Sequence, residues 1–186
     1  MTADSSQEAD RRALADPRPG LAALRQELAR RRAVRGADYR ITPAGLWTGS
    51  EVDEVFSLFS QLNLAKYPRV ADLGSGDGRV ACLAGLFTSA VGIEADPWLV
   101  NESRDLASRL GLAKVEFKLG DMRSAKLSDY DLLYIFPDKP LDWLEESGMS
   151  HWRGRLLVYG PGFQPKKLKH LATIYAGATL CALWSR

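Results

Sequence analysis

Apolar positions change their rhythm at Arg69. Before it they recur every three or four residues. Leu21, Leu24 and Leu28 share one side of a predicted helix over Leu21–Val34. Arg30-Arg31-Arg32 closes that helix favourably for its dipole, and Gly36 is placed to stop it. Val52, Val55, Phe56 and Phe59 form the buried face of a second helix, which Ser50 is suited to cap and which runs to Leu62. Between them, Tyr39–Gly49 contains Pro43, Gly45 and Gly49 and reads as a loop. Met1–Gly20 offers few large apolar groups and reads as a disordered arm.

From Arg69 onward, short apolar runs alternate with helical patterns. Strands are expected at Arg69–Leu73, Ala90–Ile93, Val115–Leu119, Asp131–Phe136, Leu156–Tyr159, Ala172–Tyr175 and Thr179–Trp184. Helices are expected at Arg79–Phe87, Pro97–Leu110 and Leu141–Glu146, with a weaker pattern at Lys166–Leu171. Strand–helix alternation implies right-handed crossovers and an open parallel sheet. Only Ala176-Gly177-Ala178 separates the last two strands, too short for a crossover, so they must form an antiparallel hairpin. The expected fold is α/β: a doubly wound, seven-stranded sheet, six strands parallel and one inverted, with an N-terminal helical extension. The chain divides into an arm (1–20), a helix with a lid or loop (21–49) and the main domain (50–186).

Composition adds exclusions. At 46% hydrophobic and 26% charged residues the chain is an ordinary globular one, with no apolar run long enough for a membrane helix and no signal-peptide pattern at its start. Two cysteines and two histidines give no disulfide scaffold and no metal cluster, so a reduced, cytoplasmic protein is expected. Cys82 and Cys181 read as core residues, and His151 beside Trp152 as a surface pair rather than a base. Charge is unevenly spread: residues 1–40 sum to +3, 41–138 to −5 and 139–186 to +4.

The acidic middle has a chemical reason. Val70-Ala71-Asp72-Leu73-Gly74-Ser75-Gly76-Asp77-Gly78-Arg79 runs a strand through three alternate glycines into a helix. Glycines let backbone approach a ligand, and the helix start presents free N–H groups. The dinucleotide fingerprint wants a glycine where Arg79 stands. Asp72 and Asp77 would repel a pyrophosphate but suit a ligand carrying an amino group and a sulfonium. S-adenosylmethionine (SAM) has both, with a carboxylate for the N–H groups. Glu94, twenty positions after Gly74 at the end of the next strand, can accept from two ribose hydroxyls. Gly120-Asp121-Met122 ends the third strand. There Asp121 can take the adenine amine, or cap a turn, and Met122 can pack on the ring.

On these runs the chain, over about Ser50–Arg186, resembles class I, Rossmann-like, seven-strand SAM-dependent methyltransferases. It is more closely similar to small protein-lysine methyltransferases, the archaeal broad-specificity and mitochondrial ATP-synthase c-subunit type, through Asp72–Arg79 and Gly92-Ile93-Glu94-Ala95-Asp96-Pro97-Trp98-Leu99-Val100. The resemblance implies a cofactor site of Asp72, Gly74, Ser75, Gly76, Asp77, Glu94, Ala95, Asp121 and Met122. It implies Trp98 beneath adenine or in the core. It also implies an aromatic segment over SAM, which spacing puts at Trp47-Thr48-Gly49-Ser50, with Tyr39–Pro43 as the alternative register. The product is then S-adenosyl-L-homocysteine (SAH), and the acceptor a protein lysine.

The fourth strand ends Ile135-Phe136-Pro137-Asp138, without the Asn/Asp-Pro-Pro arrangement of base-amino methyltransferases, which argues against DNA adenine. Phe136 and Pro137 are placed to wall an acceptor channel, and Asp138 to attract a cationic amine, if the stretch is more than a turn. Two alternatives stand beside a protein substrate. One is an RNA methyltransferase using Arg25, Arg30–Arg32, Arg35, Lys166, Lys167 and Lys169; the other is a SAM-binding protein without activity.

Overall fold

The computed structural model describes residues 16–36, 39–42, 45–146 and 152–186. In chain order the elements are α1 (Arg18–Arg35), β1 (Tyr39–Thr42), β2 (Gly45–Thr48), α2 (Val52–Gln61), β3 (Arg69–Leu73), α3 (Arg79–Ala84), β4 (Ser89–Glu94), α4 (Pro97–Arg109), β5 (Val115–Leu119), β6 (Leu132–Ile135), α5 (Asp142–Glu146), β7 (Arg155–Tyr159), β8 (Lys169–Ala176) and β9 (Thr179–Ser185). The main sheet runs β5-β4-β3-β6-β7-β9-β8, with β9 antiparallel to both neighbours and the other adjacent pairs parallel. The expected fold class and the inverted C-terminal strand are both found.

Side-chain alternation explains why the strands read as continuous apolar runs. Val70, Leu132, Tyr134, Leu157 and Tyr159 enter a core under α1–α4, whereas Ala71, Leu73, Leu133, Ile135, Leu156 and Val158 enter one on the opposite face. A strand buried on both faces has no polar side to show.

Four expectations need correction. Tyr39–Gly49 is not a loop but holds the β1–β2 hairpin, paired Tyr39↔Thr48, Arg40↔Trp47, Ile41↔Leu46 and Thr42↔Gly45. Four-residue strands are too short for an alternating pattern to outweigh the glycines. The helical pattern at Lys166–Leu171 is absent: Lys169 opens β8, because ladder pairing with Ser185 decides the conformation there. Ser50 does not cap α2; Glu51 is the N-cap residue and makes no side-chain cap hydrogen bond. The expected arm overlaps α1, which begins at Arg18; residues 1–15 lie outside the described residues, as do Pro43 and His151. Gly36 does end α1, in the left-handed region at φ +78°, its N–H donating to the Arg32 carbonyl at 2.8 Å.

The basic helix α1 is docked by charge as well as by Leu21 and Leu24. Arg31 is buried and donates to the Glu102 carbonyl at 2.8 Å and to Asp105 at 2.7 Å, with Glu27 at 3.1 Å. Arg35 pairs with Glu102, Arg30 with Glu27 and Arg25 with Asp53. The paired Glu27 carboxyl is held down at about 2, chiefly by its hydrogen bond from Arg30. Among the described residues no helix is long and apolar enough to cross a membrane.

Candidate functional site

The carboxyl ends of β3, β4 and β6 open into one cavity of about 580 Å³, roofed by the β1–β2 hairpin and the segment after it. The structure brings every expected cofactor residue but Gly76 to its wall: Trp47, Ser50, Asp72, Gly74, Ser75, Asp77, Glu94, Ala95, Asp121 and Met122. Phe136, Pro137 and Asp138 also line the cavity. Gly76 lies just behind, under the Trp47 indole.

The glycine loop spends its own donors. Gly74 and Ser75 N–H donate to the Ile93 carbonyl (2.9 and 3.1 Å), Gly78 N–H to Ser75 and Gly76 N–H to Glu94 Oε2 at 2.9 Å. The N–H groups of Gly74, Ser75, Gly76 and Gly78 are thus engaged within the protein. Gly74, Gly76 and Gly78 sit at φ +76°, +55° and +83°, where a side chain is strained whatever the space.

The acids differ in what they have left to give. Asp72, on β3 between Gly92 and Tyr134, is buried, and its Oδ2 has no partner. Burial first, then the Glu94 charge, raises its carboxyl to about 8. Asp77 is fully buried and committed: Arg79 Nε donates to it at 3.0 Å and Nη2 at 2.9 Å. It is a loop brace, and the sequence-based picture of two free acids becomes one. Glu94 Oε1 accepts from Ala95 and Asp96 N–H (2.8 and 2.9 Å); Oε2 accepts from Gly76 and keeps a lone pair. Asp121 Oδ1 accepts from Arg123 N–H at 2.9 Å, so it caps a short turn, leaving its other oxygen. Ser75 Oγ is buried without a partner above Gly92, where a Cβ would come within 2.7 Å of it.

Of the two candidate segments, the hairpin lays Trp47 over the glycine loop. Trp47 lies so close over the loop that a Cβ on Gly76 would meet its Nε1 at 2.0 Å. Arg40, directly across the hairpin, stacks at 4.3 Å on Trp98, with Arg35 at 5.2 Å from the same ring. Trp98 is therefore neither in the core nor on the cavity wall; it is 36% exposed and holds the hairpin to α4. Asp96 caps that helix, accepting from Trp98 and Leu99 N–H, and Pro97 opens it as expected.

Phe136 is 46% exposed and edge-on to Tyr159 at 5.1 Å. Asp138 faces Lys139 at 3.8 Å and sits under Gly45, where a Cβ would come within 2.7 Å of its Oδ2. Two wall residues escaped sequence reasoning. Arg79 entered as the end of the glycine run and the residue that breaks the dinucleotide pattern, with no role at the wall. Tyr134, whose buried hydroxyl lacks a partner, is the cross-strand neighbour of Asp72, and alternation along β6 could have pointed to it. Burial, with Asp72 nearby, pushes that phenol well above its usual range.

The orphaned acids suit a cationic ligand. Asp72 Oδ2 and the spare Glu94 lone pair need donors or positive charge, which an amino group, a sulfonium and ribose hydroxyls supply.

No family model matches the chain. It is 41% identical over 70 residues to the human lysine N-methyltransferase of the ATP-synthase c-subunit, a stretch covering 36% of this chain and 30% of that relative. The chain thus matches under a third of the length of this curated relative. Among solved structures it resembles a methyltransferase from Geobacter sulfurreducens (TM-score 0.61, 20% identity, 99% of each chain). It also resembles an RNA methyltransferase from Salinibacter ruber in complex with SAH (TM-score 0.59, 24% identity, 72% of this chain and 88% of that one). The chain has the class I, seven-strand fold of SAM-dependent methyltransferases, and its Asp72, Glu94 and Asp121 meet at one cavity.

Proposed function

We propose that the chain is a SAM-dependent methyltransferase whose acceptor is a protein lysine amine. The observation that carries the donor half is the unpartnered, buried Asp72 oxygen in a carboxylate-lined cavity closed by Trp47. Asp72 is suited to the ligand's positive charge, which favours its carboxylate form, and Glu94 to ribose through its spare lone pair. Met122 and Asp121 are suited to adenine. When bound, SAM supplies a methyl carbon already activated by sulfonium. The chain's own task is then alignment and exclusion of water, for which the hairpin roof and the apolar rim of Phe136 and Pro137 are fitted. An amine entering past that rim loses solvent, which lowers its pKa and frees the lone pair for attack; Asp138 is placed to draw it in as a cation.

The lysine acceptor is supported by the 41% identical segment. The RNA alternative is weakened by α1, whose Arg25, Arg30, Arg31 and Arg35 are all engaged with acids of this chain. Calorimetric titration with SAM and SAH, followed by methyl-labelled SAM in cell extract, tests both halves. Protease-sensitive label on lysine is the expected result. RNase-sensitive label would move the acceptor to RNA, and binding without turnover would leave a SAM-binding protein without activity. Asp72→Ala should abolish SAM binding; retained affinity would refute the donor site itself.

A further inference from the structure

Arg79 occupies a place in the fold that neither its motif nor the donor reading explains. Its guanidinium is buried, gripped at two points by Asp77, and donates through Nη1 to the Ser50 carbonyl at 3.4 Å. The same group lies 5.6 Å from the centre of the Trp47 ring. The same Nη1 fills the space beside Gly49 so closely that a Cβ there would meet it at 2.1 Å. One side chain thus touches three consecutive parts of the roof: the indole, the glycine after β2 and the carbonyl before α2. Asp77 is in turn approached by Arg35 of α1 at 3.7 Å, so the grip is continuous with the helix that docks the whole N-terminal segment.

We propose that Arg79 is a positioning residue, which seats Trp47 and the Gly49–Ser50 turn on the glycine loop and thereby sets the shape of the donor end of the cavity. This rests on the cavity being the SAM site. A bidentate carboxylate fixes a guanidinium in a plane, and only a planar, five-donor group can hold that pair and reach a carbonyl together. A lysine keeps the charge but not the fork, so Arg79→Lys separates positioning from charge. Glycine at position 49 is required by the same contact, since any side chain there displaces the guanidinium.

The test pairs two readouts. In the ligand-free protein, acrylamide quenching of Trp47, taken as the difference between wild type and Trp47→Phe, should rise in Arg79→Lys. In SAM calorimetry, Arg79→Lys and Trp47→Phe should each weaken binding about tenfold, and the double variant no more than either alone, the signature of residues acting as one unit. Additive losses, or unchanged quenching in Arg79→Lys, would overturn the proposal. Should Arg79→Lys fail to fold, Asp77→Asn with Arg79→Met removes both charges and carries the same cycle. A wild type that binds no SAM would refute the donor reading, while the quenching arm still decides the seating.

Discussion

The two ends of the cavity are built differently. At the donor end, Asp72, Asp77 and Glu94 are buried, and most polar atoms are already spoken for by backbone or by Arg79. At the rim proposed for the acceptor, Phe136, Asp138 and Lys139 are exposed, and the acid has an ion pair at 3.8 Å. The difference teaches that the donor end is part of the fold's own stability, whereas the acceptor end can vary without disturbing it. A buried, hydrogen-bonded carboxylate cannot be removed without stranding its donors; an exposed one leaves only water.

The comparison breaks most visibly where charge is most buried. Arg31→Met, which removes the buried guanidinium and leaves Glu102 to Arg35 and Asp105 to Arg109, should lower unfolding stability in urea by about 2 kcal/mol. Arg30→Ala, which breaks an exposed pair on the same helix, should leave the urea midpoint nearly unchanged. Equal losses would mean that α1 is held by its leucines alone. Glu94→Ala should cost about 2 kcal/mol, because three N–H groups lose their acceptor, and calorimetry should show SAM affinity falling at the same time. A folded, fully stable Glu94→Ala would remove the link between binding wall and stability.

Asp72 gives the donor end a pH signature. Its folded carboxyl lies at about 8, above the usual carboxylate value, so the native state holds a proton that the unfolded chain releases. The resulting stabilisation is full below about pH 4, the unfolded carboxyl's own range, and is lost as pH rises through about 8. In the ligand-free protein, melting temperature should therefore fall for wild type relative to Asp72→Asn as pH rises from about 5 to about 8 and run parallel above it. Profiles parallel throughout would show that the carboxyl is already paired. Smallest of all, Asp138→Asn should change stability by less than about 0.5 kcal/mol and leave SAM affinity within about twofold, while lowering kcat/KM for the acceptor. A large loss of SAM affinity would erase the distinction between the two ends.

Legibility in the sequence followed the same divide. The Asp72–Arg79 run was readable because positive φ at three alternate positions restricts the residue type, and because a strand must end in an acid for Glu94 to reach the loop. The strands were readable from apolar runs buried on both sides. What escaped was decided by partners distant in sequence. The β1–β2 hairpin exists because Trp47 and Arg40 find Gly76 and Trp98 across the fold, and neither contact leaves a local pattern. Arg79's commitment of Asp77 could not be told from a free acid by spacing alone. The Arg-rich helix read as a solvated or phosphate-tracking surface because its acids, Glu102 and Asp105, come from another helix.

The position of β9 between β7 and β8 fixes an order of assembly. One oxygen of Glu54, on α2, accepts from Tyr159 of β7 and Thr179 of β9, both at 2.6 Å, across separations of 105 and 125 residues. The sheet's penultimate strand is thus the last of its strands in the sequence, and it meets β7 as one arm of a hairpin with β8. Contacts of such long sequence separation form late and slowly. Until Ser185 has left the ribosome, β7 carries an open flank, and β8 has no neighbour to pair with. The nascent chain therefore carries the cavity built from β3, β4 and β6 on a sheet that is still unfinished.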